Sequence, residues 1–478
     1  MEISYKISYK NCKGEKIMEI NENNFYEEVG KLLMKEERQK QVVEVEVEGI
    51  GKVEYKLSLR SETIFITELY NDLPKNFIKP FEPKFMTCID PEKNAYKYYK
   101  LEKVGDKVRA SYGRMGTKKG ELFGERSYDY DLSMFWIKYF EKIQKGYKDY
   151  SEIYLDEETK PCSKQNHDVK AKPNSASERL FAKLNDFAKK AVEEAEVFVP
   201  ITETILTTSK QLIEQLRKDE SVDSFNKDLL ELMSILQRPV RTGDGMGVRE
   251  QLAIDESDFK RIILREADLL QAMEGYFYGN GSKTAVYDFK KYGVSVFIAT
   301  EKQKKQVMSH LSKTLQKKVK EVYRVIPKEQ QKRFNDYLEK NDIHRVKQLW
   351  HGSRNQNWMS IMVNSLQLNP DAIITGKMFG SGIYFAPSSM KSWNYTSYMG
   401  ATWSKGNSST AFMGLYAVAY GRPKDVDQWN SHTDYKQLVK DNHCNCLHAH
   451  AENGFLRNDE IVFYDEAAMV MNYIVEFE

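Results

Sequence analysis

The chain has 478 residues, 41% of them hydrophobic, and its 72 Lys and Arg nearly balance 70 Asp and Glu, for a formal net charge of +2. That length exceeds one ordinary core and predicts several domains, while the balance of charge excludes a strongly basic tail but permits a local basic face. Five cysteines, scattered at 12, 88, 162, 444 and 446, argue against a disulfide framework.

The N-terminus, MEISYKISYKN, has no apolar stretch of signal-peptide length, and no apolar run is long enough to span a bilayer. The expectation is an intracellular chain with no membrane partner, nuclear in a eukaryotic host and cytoplasmic in a bacterial one. Residues 1–85 alternate with period two in ISYKISYK, VVEVEVEGI and VEYKLSLR, around a helical stretch near Phe25 to Glu37. This predicts a small α+β module, and no motif in it points to a role. The Pro-punctuated connector LPKNFIKPFEPKF follows.

Residues 86–150 predict strands at YKYYKLEKV and KVRASYGRMG, with GELFGERSY leading into a helix at DLSMFWIKYFEKIQKGY. The ring of Tyr112 lies close in sequence to Arg114, Lys118 and Lys119. Aromatic rings stack on exposed bases or riboses and cations neutralise phosphates, so this set suits a nucleic-acid end.

Residues 151–175 have linker composition. Residues 176–279 then turn helical, with apolar stripes at Leu180, Leu184, Phe187 and Ala191; at Ile205, Leu212 and Leu216; at Phe225, Leu229, Leu232, Met233 and Leu236; and at Ile262, Leu269, Leu270 and Met273. Amphipathic helices of this size predict a compact bundle. The GDGMG run around Asp244 follows no strand and lacks dinucleotide-binding spacing, so it is expected to be a loop.

Residues 280–478 predict a mixed, mostly antiparallel sheet from YGVSVFIA, KEVYRVIP, KQLWHG, GSGIYFA, GLYAVAYG, DEIVFYD and YIVEFE. The basic run EKQKKQVMSHLSKTLQKKVKE is expected to be a helix with a solvated face. HCNCLHAH at 443–450 raises the question of a metal. Alternate residues on one strand face lie nearly ~7 Å apart, so Cys444, Cys446, His448 and His450 cannot all converge on one ion, and two at most can share it. No metal is expected.

Three stretches carry the chemistry: LWHGSR at 349–354, TGKMFGSGIYFAP at 375–387 and SMKSWNY at 389–395, followed by a late carboxylate, Glu460, in RNDEIVFYD. This order of residues resembles the nicotinamide pocket of ADP-ribosyltransferases, whose reaction breaks the bond between a ribose and cationic nicotinamide through an oxocarbenium-like state. A carboxylate near the sugar hydroxyls stabilises that state. The reaction also needs a clamp on the carboxamide and an aromatic face for the pyridine ring. Glu460 supplies a carboxylate, Gly352 an approachable backbone, Ser392 a hydroxyl, and Tyr384 and Tyr395 their rings.

In this order and spacing the block closely resembles the catalytic domain of poly(ADP-ribose) polymerases. The resemblance implies an ADP-ribosyltransferase fold and NAD+ as substrate. It places His351 on a ribose of NAD+, Gly352 and Ser392 on the carboxamide, and Tyr395 stacked on nicotinamide with Tyr384 opposite. Glu460 would hold the nicotinamide ribose and orient the acceptor for chain elongation. Ser353 and Asn357 would meet the adenosine half, and Lys391 and Met378 would border the acceptor site. One departure falls at Leu366-Gln367-Leu368-Asn369-Pro370, where several family members carry an Arg. SYGRMGTKKGE resembles the WGR domain that accompanies many of these polymerases, with Tyr112 in place of the tryptophan, and the helical segment is similar in position to their regulatory domain.

The expected architecture is therefore multidomain α+β: an α+β module, a WGR-like sheet-plus-helix module, a linker, a helical regulatory domain and the catalytic domain. The expected activity is poly-ADP-ribosylation of protein acceptors, including the chain itself. DNA ends or nicks would stimulate it through the WGR-like module, and the helices would restrain it. Mono-ADP-ribosylation of protein or nucleic acid, and an inactive DNA-end or NAD+ sensor, remain open alternatives.

Overall fold

In the computed structural model, the structure describes residues 4–11, 14–21, 42–47, 51–56, 82–116, 124–131, 134–155, 175–197, 199–240, 247–280, 288–368, 378–398, 408–452 and 456–478. The expected helix near Phe25, most of the 151–175 linker, the GDGMG loop up to Met246, and Lys118 and Lys119 lie outside the described residues. The chain divides into two compact units, residues 1–160 with 233–252, and residues 161–232 with 253–478.

In the first unit the period-two stretches carry strands β1 (Ser4–Asn11), β3 (Val42–Val47) and β4 (Gly51–Lys56), and β2 (Gly14–Asn21), which that pattern did not mark, joins them in the antiparallel order β2-β1-β3-β4. A second antiparallel sheet has the order β8-β7-β6-β5-β9. It comprises β5 (Lys84–Asp90), β6 (Ala95–Val104), β7 (Lys107–Arg114), β8 (Arg126–Asp131) and the short β9 (Lys148–Asp149). Helix α1 (Met134–Gln144) follows β8, and the single turn α2 (Ser151–Tyr154) follows β9. Met86, Tyr96, Leu101, Val108, Ala110 and Phe135 form the core here.

Segment 233–252 is bound to this sheet by specific polar contacts. Tyr96 Oη donates to Met233 O at 2.9 Å, Tyr154 Oη to Ile235 O at 2.7 Å, and Arg114 Nε to Val240 O at 2.9 Å. Gly116 has φ +75°, and a Cβ there would lie 2.6 Å from Pro239 N, so a side chain is excluded both by conformation and by space. The division thus differs from a continuous helical domain over 176–279: the middle of that stretch belongs with the sheet, because its carbonyls are satisfied there.

The second unit opens with α3 (Ala176–Glu194), whose N-terminus is closed by a reciprocal capping box between Ser175 and Glu178. Thr202 caps α4 (Glu203–Leu216) through the amide of Ile205 at 3.2 Å. Helix α5 (Val222–Ile235), in this unit up to Leu232, and α6 (Ser257–Asn280) complete the helical part, and Leu180, Leu184, Ile205, Leu229, Ile262 and Met273 are buried, as their spacing predicts.

The catalytic segment holds two sheets. The first has the order β10-β11-β18-β14-β12 and is fully antiparallel: β10 (Val294–Ile298), β11 (Val319–Pro327), β12 (Lys347–Gly352), β14 (Ala411–Val418) and β18 (Met469–Phe477). Strand β14, AFMGLYAV, is paired on both sides and buried throughout, which explains its unbroken apolar run. The second sheet has the order β13-β17-β16-β15, from β13 (Ile383–Phe385), β15 (Pro423–Val426), β16 (Cys446–Ala449) and β17 (Glu460–Phe463). Only its β15–β16 pair is parallel, and the crossover carries helix α12 (Tyr435–Asp441).

The basic run expected as one helix is instead two, α7 (Glu301–Ser309) and α8 (Lys313–Gln316). Ser312 is the reason: its hydroxyl accepts from Leu315 N at 3.3 Å and starts a new helix. Helices α9 (Lys328–Lys340), α10 (Trp358–Asn364) and α11 (Ser389–Trp393) connect the strands. No described helix is long and apolar enough to cross a membrane.

Candidate active site

Strand β12 pairs with β14 and carries the buried Trp350 just before His351 and Gly352 at its end. Its backbone also exchanges two 3.1 Å hydrogen bonds with Ala386, which brings the end of β13 alongside. Helix α11 then delivers Lys391 and Ser392 to the same place. Gly352 is required by geometry: a Cβ there would sit 1.9 Å from Ser392 O. The glycine lets two backbones close on one another at the mouth of the site.

A cavity of about 320 Å³ opens at this junction. His351, Gly352, Tyr384, Ser392, Tyr395 and Glu460 all line it, together with Ser353 and Lys391. His351 Nδ1 lies 3.0 Å from Tyr384 O, so that nitrogen carries the proton and ring and strand are locked together. Ser392 is buried and its hydroxyl donates to Trp350 O at 3.0 Å, leaving its lone pairs to accept. Tyr384 Oη donates to Gly380 O at 2.9 Å and accepts from Phe379 N at 3.0 Å. Burial, with Glu460 nearby, pushes the phenol of Tyr384 far above its ordinary range, so it stays protonated. Burial and then Glu460 raise Tyr395 as well.

Glu460 sits on β17, 6% exposed. One carboxylate oxygen is taken by the ammonium of Lys391, which also donates to Asn458 O at 3.1 Å. The other, Oε2, is buried with no hydrogen-bond partner among the described residues. A buried, unpartnered carboxylate oxygen on a cavity wall is an acceptor in want of a donor.

Not every expected residue reaches the cavity. Asn357 is buried behind the wall and donates to Ser353 Oγ at 3.1 Å, so it braces the turn instead of meeting a ligand there. Arg114 is 8% exposed, and besides Val240 O its guanidinium donates to Asn94 O at 2.7 Å. It is therefore spent on the first unit's own backbone and does not present itself to phosphate, contrary to its expected place in a DNA contact. Tyr112 is 38% exposed and stacks on Tyr99 with centroids 5.9 Å apart.

The opposite wall comes from α4, its C-terminal Arg217, and α6, and includes Ile213, Asp268, Gln271 and Glu274. Several polar ties among the described residues hold it. Arg354 Nη1 lies 2.7 Å from Asp268 Oδ2, Ser360 Oγ donates to Glu274 at 2.9 Å, and Lys210 Nζ donates to Gln367 at 2.9 Å. Burial raises the Asp268 carboxyl in spite of Arg354, and burial likewise raises Glu274. Sequence reasoning placed the apolar stripes but missed these polar ties, since each joins residues far apart in the chain.

Abutting strand edges and helix α11 thus gather a His-Gly turn, two tyrosines, a serine and a late glutamate around one cavity, the arrangement expected of an ADP-ribosyltransferase catalytic domain. Residues 299–478 match the poly(ADP-ribose) polymerase catalytic domain. Poly(ADP-ribose) polymerase 2 of Homo sapiens is 53% identical over 57 residues, 12% of this chain and 10% of that protein. A poly(ADP-ribose) polymerase of Sarcophaga peregrina is 33% identical over 128 residues, 26% of this chain and 12% of its own. A putative poly(ADP-ribose) polymerase-like protein of Invertebrate iridescent virus 6 is 27% identical over 168 residues, 34% of this chain and 86% of its own. The chain thus spans about a tenth of the length of the human and Sarcophaga relatives and most of the viral one.

Proposed function

We propose that the chain is an NAD+-dependent ADP-ribosyltransferase that modifies protein acceptors, itself included, and extends the first unit into a polymer. The observation that carries this reading is the buried, unpartnered Oε2 of Glu460 on the wall of a cavity that Gly352 and Ser392 also line. The Gly352 backbone and Ser392 hydroxyl hold the carboxamide, and Tyr395 and Tyr384 sandwich the ring. Glu460 accepts from a hydroxyl of the nicotinamide ribose. As the C–N bond breaks, nicotinamide leaves neutral and positive charge develops on the sugar, so that hydrogen bond strengthens at the transition state. Lys391 fixes the carboxylate in place. His351, oriented by Tyr384 O, holds a ribose.

The helical wall supports a restraint on this site, because α4 and α6 line the volume that NAD+ would fill. Stimulation by DNA ends or nicks through residues 86–150 rests on the exposed Tyr112 and on the resemblance of SYGRMGTKKGE to a WGR module. Incubation with labelled NAD+, with and without nicked duplex, followed by a denaturing gel, tests both parts. A DNA-dependent high-molecular-weight smear is expected. A sharp band would replace polymerisation with mono-transfer, and no label in either lane would overturn the enzyme reading in favour of a sensor.

A further inference from the structure

Away from the cavity, on the second sheet, two imidazoles and two carboxylates converge from three different strands. His448 lies on β16, and His450 follows that strand's end. Asp425 lies on β15, paired in parallel register with His448. Asp459 immediately precedes β17, whose Ile461 and Glu460 pair with His448 and Ala449. The ring centroids of His448 and His450 are 3.9 Å apart, far closer than the spacing of alternate residues along an ideal strand, because His450 lies past the end of β16.

We propose that Asp425, His448 and His450 form a binding site for a divalent transition-metal cation, Zn2+ foremost, with Asp459 orienting His448 from behind. One ligand atom from each of the three lies within 4.8 Å of the other two. His450 Nε2 is 2.7 Å and His448 Nδ1 3.8 Å from the same oxygen, Asp425 Oδ1. Bonds of ~2.0–2.2 Å to such ligands place them about 3.3 Å apart around a tetrahedral ion, so small side-chain adjustments complete the set. Imidazole nitrogen with carboxylate oxygen suits Zn2+ and its neighbours and not the hard, all-oxygen cations.

The arrangement behind the ligands points the same way. His448 Nε2 is 3.1 Å from Asp459 Oδ2, and Asp459 is held in turn by the amide of Ala451 at 3.0 Å. A carboxylate on the far nitrogen is how metal-binding histidines are fixed in tautomer and orientation. It makes Nε2 the donor and leaves the Nδ1 lone pair facing Asp425. Tyr420 Oη, 2.7 Å from Nδ1, fills that lone pair in the absence of a cation and is the group a cation displaces. Cys444 and Cys446 take no part: the Cys446 thiol is buried against Tyr420 O and that of Cys444 turns to Asn442 O.

The site lies one residue from Glu460 in sequence and one strand from it in the sheet, so an ion there ties β15, β16 and the lead into β17 together.

The full chain, freed of any histidine tag and stripped with a chelator, is titrated with ZnCl2 alone against a chromophoric competitor, and bound metal is counted by mass spectrometry. One Zn2+ per chain is expected. His450→Ala and Asp425→Ala should each weaken binding at least tenfold, Asp459→Asn about 10-fold to 100-fold, and Cys444→Ser not at all. Both first-named side chains are partly exposed, so these variants open no core cavity, and metal-free variants should melt with the metal-free parent. Zn2+ should then raise the melting temperature of the parent but not of His450→Ala. Stoichiometry well below one, unchanged affinity in His450→Ala and Asp425→Ala, or loss of binding in Cys444→Ser would each overturn the site.

Discussion

Lys391 and Glu460 form an ion pair that is deliberately one-sided in its geometry: the ammonium occupies one carboxylate oxygen and leaves Oε2 to the cavity. The two residues come from α11 and β17, so the pair also pins the helix that carries Ser392 to the strand that carries the glutamate. Glu460→Gln should reduce polymer elongation on the order of 10²-fold while leaving NAD+ affinity within severalfold, because it replaces an anionic acceptor where positive charge develops. Lys391→Ala leaves a buried carboxylate without its cation and should cost about 3 kcal/mol of stability. Urea melts of both single variants and the double variant check this, and the double should be less destabilised than Lys391→Ala alone.

Asp268→Ala removes the Asp268–Arg354 tie between α6 and the loop after β12. If the helical wall restrains NAD+ entry, nicotinamide release without DNA should rise severalfold in this variant. A basal rate equal to the parent's would separate the wall from regulation.

Tyr112 and Arg114 stand two residues apart yet predict different failures. Arg114→Ala strands the Val240 and Asn94 carbonyls and should destabilise the first unit by about 2–3 kcal/mol. Tyr112→Ala should change stability by less than about 1 kcal/mol, yet abolish stimulation by nicked duplex while leaving basal turnover intact. Thermal melts and DNA-titrated turnover distinguish the two, and stimulation that survives Tyr112→Ala would remove the DNA contact from this face.

Burial pushes the Cys446 thiol up to about 12. The thiolate is the form that alkylates, so at pH 8 only about one Cys446 in 10⁴ is reactive, and each unit of rising pH increases that fraction about tenfold until the pKa is reached. Peptide mapping after iodoacetamide at pH 8 should find Cys446 unlabelled in folded protein and labelled after denaturation.

The catalytic half was legible because its chemistry is written in short contiguous stretches. HGS, GIYFA and SWNY each hold several residues that line the cavity, within one strand or turn. The tie from Asp268 to Arg354 and the gathering of Asp425 and Asp459 about His448 were not legible. They depend on which strands are neighbours and in what register, and the parallel β15–β16 pairing leaves no local trace in either segment. Spacing along the single strand at 443–450 carries no trace of the donors that adjoining strands bring to His448. Helix periodicity likewise located Met233 and Leu236 as buried without revealing that their backbone is bound by the sheet of the first unit.

That last feature bears on how the molecule can be taken apart. Residues 233–252 are folded into the first unit, while the residues on either side of them belong to the second, so the chain crosses between units three times and not once. A proteolytic nick within 156–174 should leave both pieces associated, since the C-terminal fragment carries part of the N-terminal fold with it. For the same reason a fragment beginning at residue 161 should expose Leu236, Val240 and Val248, otherwise buried, and should be prone to aggregate however well its catalytic sheets form.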